Sequence, residues 1–208
     1  MVSSLVAITT AASAQVRFNV EMAGKSVGTA SLTQKLQPDG GKIVELKMEL
    51  KIGTQKLAIR SQNTYDAAGA PIRKFLDSNI PGGALQKQIV TTFDGRGANV
   101  VILDGGKRTT RSIPLVDTAP RKNGSEFWFL RDRPQSGAAI KCYTFNMDRL
   151  AWELQTFVYR GKKSVSLGGK SVMAHEISTD GDRPSKAYVD DSGLPILIES
   201  GPTVLKRI

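Results

Sequence analysis

The stretch IVELKMELKI, residues 43–52, alternates between apolar and charged side chains from Val44 onward. Val44, Leu46, Met48 and Leu50 occupy every second position, and a glutamate or a lysine follows each of them. This period of two is typical of a β-strand with one buried and one solvent-exposed face, because successive side chains of a strand point to opposite faces. A helix would spread the same charges around its circumference. The stretch therefore predicts a sheet with one apolar face.

The same period recurs near the amino end, where Val16, Phe18 and Val20 share one face of a predicted strand over residues 16–22. Turn signals rich in Gly, Asp and Pro separate the strands. They lie at residues 23–25, 38–41, 52–54, 66–69, 94–97, 104–106 and 168–169. Long strands joined by such short turns predict an antiparallel meander.

Two of the turns share the sequence Asp-x-x-Gly-x-Pro-Ile, at residues 66–72 and 190–196. In such a turn the aspartate bonds its own backbone, the glycine takes a positive φ and the proline starts the next strand. An internal duplication and convergent turn chemistry both explain the pair.

One short helix interrupts the strand pattern, near residues 125–133, with a capping sequence at residues 123–125. It carries Phe127, Trp128 and Leu130, more apolar surface than a solvent-facing turn would expose. Two hypotheses follow: the helix plugs one end of the sheet, or it is a mobile lid over an apolar cavity. Strands are predicted to resume at residues 139–146, 150–159, 163–167, 172–179, 185–189 and 195–200.

The composition is that of an ordinary globular chain, and it excludes several kinds of site. The 208 residues suffice for a sizeable core, and no linker divides residues 15–208, which predicts one domain. Cys142 is the one cysteine and His175 the one histidine, which excludes an intrachain disulfide and a tetrahedral zinc site. Calcium would need more oxygen ligands than the aspartates of residues 180–191 supply. We therefore expect neither metal nor cofactor.

Neither Cys142 nor His175 stands in a catalytic motif. A thiol on an apolar strand is commonly structural, which is the role expected for Cys142. The neighbour of His175, Glu176, should point to the opposite face of the strand, so the two are not a ready acid–base pair. We expect a half-buried or surface imidazole and no enzyme. The alternative, an enzyme that uses His175, needs a carboxylate distant in sequence.

The amino end, residues 1–14, carries no charge and finishes in small residues before Gln15. This pattern is typical of a signal peptide, although the missing basic residue leaves the true translation start open. It predicts an exported protein, periplasmic or secreted. No later stretch approaches the roughly 20 apolar residues that span a bilayer, so we expect a protein that is not membrane-spanning.

The formal charge of +10 comes from 29 Lys and Arg against 19 Asp and Glu, and many of the basic residues fall between positions 107 and 163. Sharing one rim, they would attract anionic lipid headgroups or cell-wall polymers; otherwise they are solvated strand ends. Nucleic acid is not expected, since aromatic residues do not alternate with the basic ones on any strand. The predicted basic rim is Lys107, Arg108, Arg111, Arg131, Arg133, Arg160, Lys162 and Lys163.

Four segments of the chain carry a resemblance to a known family. They are GKSVG at residues 24–28, the turn at 65–71, the hairpin at 168–170 and YVDDSGLP at 188–195. In these the chain resembles exported bacterial domains of unknown function that are related to the lipoprotein carriers LolA and LolB, some of which precede a transglutaminase-like peptidase domain. The resemblance implies a mainly β fold, a single strongly curved antiparallel sheet forming an open half-barrel with the helix at its mouth. Ligand binding follows only by analogy of fold.

The predicted function is a non-enzymatic exported half-barrel that holds an apolar or amphipathic ligand, such as a lipid, an acyl chain or a lipoprotein segment, on its concave face. The alternative is a structural or protein-interaction module of the cell envelope with a fully packed interior and exposed sheet edges. The predicted lining is Phe18, Val20, Val44, Leu46, Met48, Leu50, Phe127, Trp128 and Leu130.

Overall fold

The computed structural model describes residues 13–80, 86–115, 128–180 and 184–208, which form one antiparallel sheet of fourteen strands and a short helix. The mainly β fold class is confirmed. The first eight strands are β1 Ser13–Met22, β2 Lys25–Leu36, β3 Lys42–Ile52, β4 Gln55–Tyr65, β5 Pro71–Asn79, β6 Gln86–Asp94, β7 Gly97–Asp104 and β8 Lys107–Pro114. After the helix α1 Trp128–Asp132 come β9 Ala139–Asn146, β10 Ala151–Leu167, β11 Lys170–Asp180, β12 Ser185–Val189, β13 Pro195–Ser200 and β14 Thr203–Arg207.

The strands form two meanders that join at β1 and β14. The order across the sheet is β8-β7-β6-β5-β4-β3-β2-β1-β14-β13-β12-β11-β10-β9, so β8 and β9 are the edges of an open sheet. In one detail the prediction was wrong: residues 150–159 and 163–167 belong to a single strand, β10. The register with β11 shifts between Tyr159 and Gly161, and Gly161 has a φ of 89°. A glycine lets the chain bulge there without ending the strand.

The apolar positions of the first strands lie on one face, as their alternation predicts. Phe18 is opposite Ala30 and Ala30 is opposite Met48, so the three side chains share a face. We call the face that bears Phe18 the inner face. Phe18 and Val20 are 0% exposed, at the centre of an apolar cluster. Burial of one such side chain contributes about 1.5–3 kcal/mol, so this cluster is a main stabilising element of the fold.

The pairing register carries the inner face through β14, β13, β12 and β11 to β10, where Phe157 and Tyr159 lie on it. Phe145 of β9 pairs with Trp152 of β10, so their side chains share a face. Trp152 and Phe157 are an odd number of positions apart, so their side chains lie on different faces of β10. By this register Phe145 and Trp152 therefore belong to the outer face of the β9–β10 hairpin.

The outer face of that hairpin is nevertheless packed. Phe145 is 4% exposed and forms an apolar cluster with Ile89 and Val100, which the register places on the inner face of β6 and β7. The indole Nε1 of Trp152 donates a hydrogen bond to the carbonyl oxygen of Ile113 in β8, 3.4 Å away. The sheet therefore rolls up until its β6–β8 end overlaps the part of the β9–β10 hairpin that carries Phe145 and Trp152.

The predicted short helix is present as α1, and it packs against the inner face of β10 and β11. Trp128 and Phe129 are 4% and 2% exposed and pack against Phe157, Ile177 and Val189. The predicted cap at residues 123–125 lies outside the described residues. Within the described ranges no helix is long and apolar enough to cross a membrane.

Candidate functional site

A cleft of about 550 Å³ opens between α1 and the strands β10 and β11. Its volume falls within the range of about 300–1,000 Å³ typical of small-molecule sites. The lining residues come from α1 and the chain after it, from β10, from β11 and from the turn after β12. They are Phe129, Leu130, Arg133, Pro134, Tyr159, Lys162, His175 and Asp191.

One wall of the cleft is a chain of hydrogen bonds centred on His175. The Nε2 atom of His175 is 2.8 Å from Oδ1 of Asp191, and its Nδ1 atom is 3.0 Å from the hydroxyl of Tyr159. An ionised carboxylate only accepts, so Nε2 donates to Asp191, and in the neutral ring Nδ1 accepts the hydroxyl hydrogen of Tyr159. Lys162 Nζ donates to the same Asp191 oxygen from 2.8 Å.

The carboxylate of Asp191 is exposed, and its partners keep it charged. The hydrogen bond from Lys162, followed by that from His175, lowers the pKa of Asp191 below its ordinary value. Since the pair is open to solvent, it adds little to the free energy of unfolding. Its role is to place a negative charge beside the imidazole.

The turn that carries Asp191 is held by its neighbour Asp190. Oδ1 of Asp190 accepts from the backbone N–H groups of Ser192 and Leu194, at 3.0 and 2.9 Å, while Oδ2 accepts from Arg207 of β14 at 2.9 Å. Burial raises the pKa of Asp190, but the bonds from Ser192, Leu194 and Arg207 outweigh it, and the pKa is lowered. Asp190 thus has the turn role expected from the sequence, whereas Asp191 turns its side chain to His175.

The apolar part of the cleft lining comes from α1 and the chain after it. The ring of Phe129 stacks on Tyr159, with centroids 6.1 Å apart and an interplanar angle of 11°. It also lies 5.5 Å from the ring of His175. Phe129 thus packs against the rings of the hydrogen-bonded wall, and with Leu130 and Pro134 it supplies the apolar part of the lining. The cleft can therefore accept a molecule that is apolar on one side and polar on the other.

Arg133 reaches the cleft from a strained position. Its N–H bonds to the carbonyl oxygen of Phe129 at 3.1 Å and ends the helix, with a φ of 45°. This left-handed conformation is the one that glycine usually takes after a helix, and another residue there costs about 1 kcal/mol. Arg133 has no ion-pair partner among the residues that the structure describes. The guanidinium of Arg133 therefore lines the cleft without an ion pair to any described residue.

The predicted lining of the concave face lies in several places. Phe18, Val20 and Leu50 are buried, and Leu46 and Met48 pack against the same apolar cluster. Val44 is half-buried on the same face of β3. Leu50 also lines a cavity of about 350 Å³ with Val27 and Leu57.

The predicted helix residues divide between two cavities beside α1. Leu130 lines the cleft, and Trp128 lines a separate cavity of about 280 Å³ with Arg131 and the turn residues 66–69. Phe127 lies outside the described residues. Among the described residues of the predicted lining, Leu130 is the one that lines the cleft with the polar groups.

The predicted basic residues lie on β8, on α1, in the chain after α1 and on β10. Lys107, Arg108 and Arg111 are exposed on the edge strand β8. Arg131 of α1 pairs with Asp132, Nε to Oδ1, at 2.6 Å.

The remaining basic residues lie on β10 and after α1. Arg160 donates to the hydroxyl of Ser178 at 3.0 Å, and Lys163 is exposed. The structure brings only Arg133 and Lys162 of the predicted rim into the cleft.

Comparison with known proteins supports the fold. No protein-family model and no curated protein sequence matches the chain. Among solved structures, the chain is similar to a β-barrel-like protein of the domain of unknown function DUF1849 from Brucella abortus, with a TM-score of 0.60, 10% identity and coverage of 93% of this chain and 94% of the other. A DUF1089 family protein from Pseudomonas aeruginosa aligns over 94% of both chains with 13% identity and a TM-score of 0.40. The first similarity shows a barrel-like β fold and nothing about activity.

Proposed function

We propose that the protein binds an amphipathic ligand with an anionic headgroup, such as a lipid or an acyl chain, in the cleft beside α1, and that it catalyses no reaction. One observation carries the proposal: the same cleft is lined by the apolar side chains of Phe129 and Leu130 and by the basic side chains of Arg133 and Lys162. Small-molecule sites typically combine an apolar lining with a few convergent polar groups, as here. In this proposal the protein is an exported relative of the carriers LolA and LolB.

The charges of the cleft favour an anion. With a neutral imidazole, the lining carries two positive groups, Arg133 and Lys162, against one negative group, Asp191. The balance is therefore one positive charge, and Asp191 engages Lys162 but not Arg133. The net charge of +10 on the whole chain adds to the attraction of an anionic ligand.

The proposal keeps the predicted class of ligand but places its site in the cleft beside α1 and not at the middle of the sheet. Phe18 and Val20 are 0% exposed, so a ligand does not reach these two side chains. These residues support the fold, and the apolar contacts to the ligand come from α1. The hydroxyl of Tyr159, with its ring on Phe129, marks the boundary between the polar and apolar walls.

The arrangement of His175 supports a role in binding without catalysis. A general base needs a ring nitrogen within hydrogen-bond reach of the substrate proton. In His175, Nε2 faces Asp191 and Nδ1 faces Tyr159, so the protein itself occupies both nitrogens.

The test is calorimetric titration of the purified protein with decane-1-sulfonate below its micellar concentration. We expect one bound sulfonate per chain and a loss of affinity of about tenfold in Arg133→Gln, which corresponds to about 1.4 kcal/mol. Lys163→Gln is the matched control, because Lys163 lies beside Lys162 in β10 but does not line the cleft. The absence of binding, or an equal loss in both variants, would exclude the proposal.

A second candidate is a protein-interaction module of the cell envelope. The packed inner face and the exposed basic edge strand β8 favour it, since strand edges recruit extended segments of partners. Capture of a defined envelope protein that is lost when Lys107, Arg108 and Arg111 are replaced by Ser, together with no binding of the sulfonate, would favour this candidate.

A further inference from the structure

We infer that the cleft beside α1 binds its anionic ligand more tightly when His175 is protonated, so that a rise in pH releases the ligand. The inference rests on the proposed function and adds its regulation. Its basis is the position of the imidazole, between Tyr159 and Asp191 on the polar wall of the same cavity.

Protonation of His175 changes a hydrogen bond as well as a charge. Nε2 donates to Asp191 in both states, because the carboxylate only accepts. In the neutral ring Nδ1 accepts the hydroxyl hydrogen of Tyr159, whereas in the cation Nδ1 donates to the hydroxyl oxygen. The hydroxyl hydrogen of Tyr159 must then turn away from the ring. Because Tyr159 lines the cleft, the O–H group becomes a donor for a bound anion.

The charge balance changes in the same direction. Among the described residues, the charged groups that line the cleft with His175 are Lys162 on β10, Asp191 in the turn after β12 and Arg133 after α1. They sum to one positive charge, and the imidazolium raises the sum to two. Imidazole is the side chain that ordinarily changes charge between about pH 5 and 8. The pKa of Asp191 is lowered by Lys162 and His175, so its carboxylate stays ionised across that interval.

Two probes of equal chain length test the inference. Decane-1-sulfonate keeps its charge at every pH used, and decan-1-ol is neutral, so neither probe titrates. Dissociation constants are measured from pH 5.5 to 8.0 at constant ionic strength. For the wild-type protein we expect the sulfonate to bind about tenfold more weakly at the upper limit than at the lower one, and the alcohol to show no trend. In His175→Gln the sulfonate should bind with an affinity that does not depend on pH.

The outcomes separate the inference from the proposed function. Tight sulfonate binding with no pH dependence overturns the inference alone, and so does a pH dependence that survives in His175→Gln. No binding at any pH overturns the proposed function as well. Tyr159→Phe keeps the ring against Phe129 and removes the hydroxyl. A smaller gain on acidification in Tyr159→Phe than in the wild type supports the part of the hydroxyl, and an unchanged gain contradicts that part. If His175→Gln fails to fold, His175→Asn replaces it, and a pH dependence that survives in His175→Asn contradicts the inference.

Discussion

His175 and Asp191 lie sixteen positions apart in the chain, and their side chains meet at 2.8 Å. The sheet register explains the contact. His175 is opposite Val189 across β11 and β12, and the turn after Val189 brings Asp191 back over the imidazole. Asp190 holds this turn in place, because its carboxylate accepts hydrogen bonds from the backbone N–H of Leu194 and from Arg207 of β14. The polar wall of the cleft is thus tied to the central strands of the sheet.

The bonds of Asp190 predict a loss of stability in acid. Its pKa is lowered in the folded protein, because the bonds to the carboxylate outweigh its burial, so the folded state binds fewer protons than the unfolded one. The stabilisation is present above the ordinary carboxylate pKa of about 4 and is lost as the pH falls through the folded value. We expect the melting temperature of Asp190→Asn to change less between pH 5 and pH 3 than that of the wild type. Asp104→Asn, at the exposed end of β7, is the control and should follow the wild type.

Arg133→Gly separates stability from binding. Removing the side chain from a φ of 45° relieves the backbone, and we expect the free energy of unfolding to rise by up to about 1 kcal/mol. The same change removes the guanidinium from the cleft, so the affinity for decane-1-sulfonate should fall. Urea denaturation and calorimetry measure the two effects. Arg133→Gln should lose affinity with no gain in stability, and an equal gain in both variants would contradict the role of φ.

Alternation along the sequence predicts which residues share a face but not what that face contacts. For Phe18 and Met48 the pattern was sufficient, because the inner face of the early strands is the core. For Phe145 and Trp152 the pattern was not sufficient, since the β9–β10 hairpin carries covered apolar residues on both of its faces. The overlap depends on how far the sheet coils, which is a property of all fourteen strands together.

The cleft was harder to predict for a similar reason. From the sequence, His175 was expected to be a half-buried or surface imidazole, with a distant carboxylate needed only for the enzyme alternative, and Asp191 was expected to be a turn residue. One signal was available. His175 and Ile177 are two positions apart in β11, so they share the inner face, and the turn after the next strand, β12, could return a carboxylate to that face. The sequence placed Arg133 in the predicted basic rim but not beside His175, because its position in the cleft depends on the left-handed end of a five-residue helix.

A close approach of two backbones predicts that Gly28 does not tolerate a side chain. A Cβ at this position would lie 2.0 Å from the carbonyl oxygen of Glu49 and 2.9 Å from Cα of Leu50. Since these are backbone atoms of the paired strand β3, Gly28→Ala should push β2 and β3 apart and cost about 1–3 kcal/mol. Gly95→Ala is the matched control, because a Cβ there meets no atom within 4 Å. Urea denaturation should show a large loss for the first variant and almost none for the second.

The overlap of the rolled sheet is tested by two residues of the same hairpin face. Phe145 is 4% exposed beneath β6 and β7, whereas Leu154, on the same outer face by parity, is 54% exposed. If the β6–β8 end covers Phe145, Phe145→Ala should lower the free energy of unfolding by about 3–5 kcal/mol, the cost of a cavity in a packed core. Leu154→Ala should change it by less than about 0.5 kcal/mol, as for other exposed positions. Equal small losses in urea denaturation would mean that the outer face of the hairpin is open to solvent and that the sheet does not overlap itself.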